Sequence, residues 1–492
     1  MRPKTKNAIF LTASAAAALF TGYKIISAPT RAELFLLLTL VFLIPVLKRP
    51  KAGILLLLVI SPLTAFIRRI YYLGFERMKF DPVLLIPDAV TALTIVGSMM
   101  VLNKNDFQVN VSRDKKTPAN FLLVFILWLF LKIFIGNSIG TFDGLAAFKF
   151  NGFYIFLFFI PLMVRFNEND YRKIAKITII ITFITSLYGL KQLYLGYTVF
   201  ETRWINSVSF STLVVGNITR PFSTFDSPAA FADMTVIGLL FIIFAKQSGI
   251  ISKSFFPLLL PTLWALLISS VRANWFGAIA GSASLIFFTQ FKNNRQRAIF
   301  SVTALLMLFA FSQASSYFLG EEDSGYSYSQ SSMEKDMTDI LIKERMGGLL
   351  NPLQEYSLQK RFLLWGYAFN HGLRNPLGTG QGSYAGAHSY FFTLFADTGW
   401  PGIILFFLFF FYFLSAALKE YDSLEEGFHK KFTGLSISLF FAVSLMNTTG
   451  SHIHSHPGDI YYWFLAGYTI SIKYMKGAPN ENSGDKPLLH NK

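Results

Sequence analysis

The chain has 492 residues, of which 53% are hydrophobic, 17% aromatic and only 15% charged, and it contains no cysteine. That balance excludes an ordinary soluble domain, and the missing cysteine excludes disulfides, thiolate metal sites and cysteine nucleophiles. The net charge of +16 resides in short loops between apolar runs rather than in a basic stripe, which argues against nucleic acid as a partner.

Apolar runs close to the length that crosses a ~30 Å hydrocarbon layer recur from end to end. The fold expected is all-α: a polytopic helical membrane protein of about 12–14 transmembrane helices with one large extracytoplasmic loop. The spans fall near 8–27, 32–47, 52–70, 82–102, 119–138, 144–165, 174–195, 228–245, 255–271, 274–291, 298–318, 390–418, 432–449 and 459–475. Residues 1–20 mimic a signal peptide, but in a chain this apolar a retained first span is the better reading. The second and third spans are short enough to form a re-entrant pair. No internal repeat is visible, which weakens an inverted-repeat transporter.

Alternate connections are basic: 48–51, 103–116, 165–176, 246–253, 292–297 and 419–431. These belong in the cytoplasm together with both termini. One segment contradicts the count. Residues 68–79 carry Arg68, Arg69, Arg77 and Lys79, yet fall outside. The divisions expected are N-terminal helices over 1–196, central helices with outside loops over 197–318, the large loop over 319–389, C-terminal helices over 390–476 and a tail over 477–492. Within the large loop, 333–346 places Met337, Ile340 and Leu341 on one helical face, as in a helix lying on a membrane or lidding a site.

Lys149, two residues from Asn151, is an intramembrane charge and hence a site candidate; snorkelling to the interface is the alternative. Arg203 and Arg220 lie in the outside loop 197–227, and Arg272 in a short turn between apolar spans. From 361 to 402 runs an amphipathic helix with Trp365, a stop at Asn375-Pro376, a loop with Gly378, Gly380, Gly382 and Gly386, then His388 at the mouth of a long apolar run. Glycines at that density let backbone N–H groups approach a ligand closely. His452, His454 and His456 recur at period two in a later loop, which suits either a metal cluster or the lining of a polar cavity.

The order Arg361, Trp365, Asn375 to Gly380, His388 and Gly399 to Gly402 resembles the O-antigen ligase and polysaccharide polymerase superfamily of bacterial envelopes. The stretches around Arg220 and Arg272 resemble it more loosely. The resemblance implies a metal-independent glycosyltransferase, without cofactor, on the outer face of the plasma membrane. Its partners would be a lipid-linked oligosaccharide donor on a polyprenyl diphosphate, a glycan or lipid acceptor, the bilayer and a chain-length regulator. Arg220 and Arg272 would hold the diphosphate, and His388 would orient or deprotonate the acceptor hydroxyl; Arg361, Lys149, Arg203 and His454 are further substrate-binding candidates. A polymerase of repeat units, a ligase of finished glycan and a flippase of the same lipids remain as alternatives, with the polymerase slightly favoured.

Overall fold

The computed structural model describes residues 43–71, 82–104, 118–136, 139–207, 213–215, 218–251, 254–290, 356–384, 386–454 and 456–475. The expected spans at 8–27 and 298–318 and the helix at 333–346 lie outside them. The described chain is helical except for one small ribbon, in which β1 (Val214–Val215) pairs antiparallel with β2 (Ile218–Thr219).

Helix α1 (Pro50–Tyr71) is followed by α2 (Leu85–Lys104), α3 (Pro118–Leu131), α4 (Thr141–Asn151), α5 (Glu168–Tyr194) and the short α6 (Val199–Ser207). Then come α7 (Pro228–Gln247), α8 (Phe255–Ile268), α9 (Arg272–Gln290), α10 (Tyr356–Arg374), α11 (Tyr390–Ser423), α12 (Phe428–Met446) and α13 (Gly458–Met475). Among the described residues, 6 helical segments are long and apolar enough to cross a membrane: α1, α2, Thr141–Met163, α5, α7 and α11. This is a multi-pass helical membrane protein.

The helix ends follow from local chemistry. Asn167 and Asp170 close a reciprocal capping box at the start of α5, each side chain accepting the other's backbone N–H at 3.0 and 3.1 Å. Ser227 caps α7 and Pro228 follows it at the first helical position, where its missing N–H costs nothing. Aromatic rings fill the centre, where Phe409, Phe413 and Phe440 meet Tyr462 and Trp463.

Two expected spans differ in form. The one at 144–165 is not a continuous α-helix: after α4 the backbone tightens into a 3-10 helix over Phe153–Phe159. Gly467 of α13 sits against the backbone of Phe158, an approach that any side chain at 467 would block. The span at 119–138 is an α-helix only to Leu131; turns follow, and there the Lys132 side chain donates to the carbonyl of Gly378 at 2.9 Å.

The helices run up and down between two ends of different character. At one end Lys51 pairs with Asp170 at 2.7 Å, Arg172 lies 4.6 Å from the centre of the Phe428 ring, and Lys431 donates to the Gln247 carbonyl at 2.8 Å. These contacts gather the basic connections 48–51, 165–176, 246–253 and 419–431 together. The opposite end holds Arg69, whose guanidinium is 1% exposed and donates to the carbonyls of Phe225 (2.6 Å) and Ser223 (2.8 Å). It also faces the rings of Phe222 and Trp204. Arg69, one of the four cations that contradicted the loop-charge count, is therefore a packing residue of the Arg220 loop rather than a solvated charge; Arg77 and Lys79 lie outside the described residues.

Candidate active site

The site is built where four elements begin or end: the loop before α7, the start of α9, the start of α11, and the connection from α12 to α13. Arg220 is buried and donates to the carbonyl of Ser270 at 3.2 Å. Ser270 takes a left-handed backbone (φ 58°), which ends α8 and turns the chain into α9, whose first residue is Arg272. Arg220 thus docks two residues from Arg272. The loop bearing it is pinned by Gln192, whose side-chain oxygen accepts the N–H groups of Phe222 (3.0 Å) and Ser223 (2.6 Å). Gln192 is held in turn by the buried Glu201 at 2.6 Å. Burial pushes the Glu201 carboxyl up, but hydrogen bonds from Thr198, Gln192 and Tyr188 outweigh it and keep the carboxyl below its usual range.

Below the arginines lies a buried polar cluster. Asp233 of α7 accepts from Asn274 of α9 at 2.6 Å, and His452 Nδ1 lies 2.6 Å from the same carboxylate oxygen. The connection holding His452 also fixes the start of α11, because the Tyr390 N–H reaches the carbonyls of Asn447 (3.1 Å) and Gly450 (2.9 Å). His388 stands two residues earlier, exposed and with a positive φ of 47°. Partial desolvation and the cations Arg361 and Lys360 on α10 hold its imidazole below the ordinary range. The structure therefore associates Arg361 with His388.

Lys149 enters the same end by another route. It forms a 2.7 Å ion pair with Asp88, which also accepts the Tyr154 hydroxyl at 2.6 Å. The Tyr154 ring stands 4.4 Å, edge to face, from His456, whose Nδ1 lies 2.8 Å from the buried Asp459. Arg203 is exposed on α6, and the side chain of His454 lies outside what is described. Of the histidines at period two, His452 and His456 do not share a face: His452 turns to Asp233 and His456 to Asp459.

The glycine-rich loop reads differently in three dimensions. Its N–H groups turn inward. Gly382 N–H donates to Asp397 Oδ2 (2.9 Å), Tyr384 N–H to Oδ1 (2.8 Å), and Gly380 N–H to the Asp397 carbonyl (3.0 Å). Asp397 lies in α11 just before Gly399, whose left-handed φ of 68° breaks the helix and lets Trp400 N–H reach the Pro376 carbonyl at 2.8 Å. Gln381 is buried and bonds Asn151 at 2.7 Å. Gly378, Gly380 and Gly382 serve close packing of the loop on the α11 kink, which corrects the expectation that these three cradle a ligand; Gly386 is exposed. His371, bonded to Thr379 at 3.0 Å, belongs to this packing too.

Asp397, Lys132 and Asp233 were missed by sequence reasoning. All three sit inside runs expected to span, and the rule that an ionisable residue in an apolar run marks a site applies to them as well as to Lys149.

Residues 257–407 match the family model described as O-antigen ligase, a segment that contains Arg272, Arg361 and His388. Over that segment the chain is similar to the O-antigen ligase and polysaccharide polymerase superfamily. No curated protein matches it. The match supports a membrane glycosyltransferase of the ligase/polymerase type. Arg220, Asp233 and the histidines of 452–456 fall outside the matched segment, yet Arg220 and Asp233 bond it directly, through Ser270 and Asn274.

Proposed function

We propose that the protein joins polyprenyl-diphosphate-linked oligosaccharide units into an O-antigen, capsular or exopolysaccharide on the outer face of the plasma membrane, with no metal ion. The observation that carries this reading is the docking of Arg220 on the Ser270 carbonyl beside Arg272. Two guanidiniums at one turn suit a diphosphate, because each makes bidentate charge-assisted bonds and stays charged at every relevant pH. The acceptor oxygen bonds the anomeric carbon, the carbon–oxygen bond to the diphosphate breaks, and the lipid diphosphate leaves with the electron pair. Positive charge already in place stabilises the charge that develops on the leaving group. His388, exposed beside Arg361, meets the acceptor hydroxyl. Both termini face the cytoplasm in this reading, with the arginine and histidine end outside.

The alternative within the same type is a ligase, in which a finished glycan moves to lipid A core or protein. The experiment is transfer by purified protein in liposomes, with lipid-linked glycan extracted from the producing cells as donor. A ladder of lengthened products supports the polymerase, and a single shift onto added lipid A core supports the ligase. Movement of donor across the bilayer with no change in length overturns both in favour of a flippase.

A further inference from the structure

His456 and Asp459 form a dyad that no role above uses. Asp459 is 1% exposed, and both of its oxygens face His456 Nδ1, at 2.9 and 2.8 Å. The His456 side chain is 24% exposed, so the ring opens outward while its carboxylate stays inside. A carboxylate on Nδ1 fixes the tautomer and leaves Nε2 to accept a proton. Among the described residues, Nε2 has no hydrogen-bond partner. Tyr154 braces the ring from the side, and Lys149 and Asp88 hold Tyr154. The dyad begins four residues after His452, which is tied to α7 and α9 through Asp233, so it lies at the arginine-bearing end of the bundle.

His388 offers a different setting. It is exposed, its described neighbours include the cations Arg361 and Lys360, and among the described residues no carboxylate bonds it. An imidazole that takes a proton in the transition state gains from a carboxylate behind it, because the imidazolium that forms is then stabilised.

Resting on the proposed transferase reading, we infer that His456, oriented by Asp459, is the general base of the transfer, with His388 left to bind the acceptor. The acceptor hydroxyl gives its proton to His456 Nε2 as its oxygen bonds the anomeric carbon. The electron pair of the broken bond departs on the lipid diphosphate, and the imidazolium later releases its proton to water.

Burial pulls the His456 imidazole down, but Asp459, Asp88 and Asp226 more than offset it and hold it above the ordinary range. The other described groups facing it are the neutral Tyr154 and Lys149, the latter neutralised by Asp88. A base at His456 therefore places the acidic limb of kcat/KM above the ordinary imidazole value of about 6.5, whereas a base at His388 places it below.

The test measures transfer and donor-lipid binding by the full-length protein in liposomes across pH 5 to 9, with the extracted lipid-linked glycan as donor. His456→Gln is expected to lower transfer by about 10²–10⁴-fold with donor binding retained. Asp459→Asn removes the first cause of the raised imidazole, so its acidic limb is expected to move to lower pH. A structural dyad would instead lower the rate evenly at every pH. Near-normal transfer by His456→Gln overturns the assignment, and so does an unmoved limb in Asp459→Asn. If His456→Gln fails to fold, the wild-type limb still decides, since a limb below the ordinary imidazole value overturns it. Absence of transfer in the wild type from this donor overturns the transferase reading itself, which separates the two failures.

Discussion

Asp397 offers the most direct test of how the glycine-rich loop is held. The side chain is 1% exposed and accepts three bonds, from the N–H groups of Gly382 and Tyr384 and from Ser383 Oγ at 3.1 Å. Asp397→Ala leaves two half-buried backbone donors without acceptors, and each such loss costs about 1–3 kcal/mol, so the loop should weaken by roughly 2–6 kcal/mol. Asp397→Asn is not neutral either. It keeps an oxygen for Tyr384 but sets an amide NH2 against the Gly382 N–H, for a cost of about 1–3 kcal/mol. Hydrogen exchange over 376–384 reads the effect. The Gly380 amide is the informative reporter, because its acceptor is the backbone carbonyl of residue 397 and survives both substitutions. Its exchange should quicken by at least ~30-fold in Asp397→Ala and less in Asp397→Asn, at one factor of ten per ~1.4 kcal/mol. Unchanged exchange at Gly380 in Asp397→Ala would refute the packing argument and return the loop to the status of a ligand cradle.

Arg220→Lys and Arg272→Lys should each impair transfer because the planar fork is lost, and the alanine variants should be worse and should weaken donor-lipid binding; normal donor affinity in both alanine variants refutes the diphosphate role. His388→Ala should lower transfer chiefly through the acceptor KM, with His429→Ala as the control, since His429 bonds Tyr468 at the opposite, basic end; wild-type acceptor KM in His388→Ala refutes acceptor binding. Single cysteines at Gly386 and Ser451, both exposed, should react with an impermeant maleimide in intact cells, and one at the exposed Lys173 should not; the reverse pattern inverts the orientation.

The helical fold was legible because most described spans follow directly from run length, and the four described basic connections meet at one end. Less legible was anything that depends on which helix neighbours which. Arg220 and Arg272 lie about fifty residues apart in sequence and come together only through the Ser270 carbonyl. The glycine-rich loop misled because glycine density is the same whether its N–H groups meet a ligand or a buried carboxylate; the carboxylate sits 15 residues further on. The period-two histidines misled in a similar way. Alternation assumes an extended strand, but the chain turns through a short 3-10 helix at His452–His454, which sends the side chains of His452 and His456 to different partners.

The burial of Arg69 also bears on how the chain is made. Its two acceptors, the carbonyls of Ser223 and Phe225, are 154 and 156 residues further along. At a synthesis rate of about 5–20 residues per second, Arg69 waits roughly 8–30 s for them. Through that interval the end of α1 carries a bare guanidinium, so the first helices emerge in an arrangement that becomes self-consistent only when the Arg220 loop arrives. The early part of the bundle is thus a provisional assembly, completed by the segment that also brings in the arginine of the site.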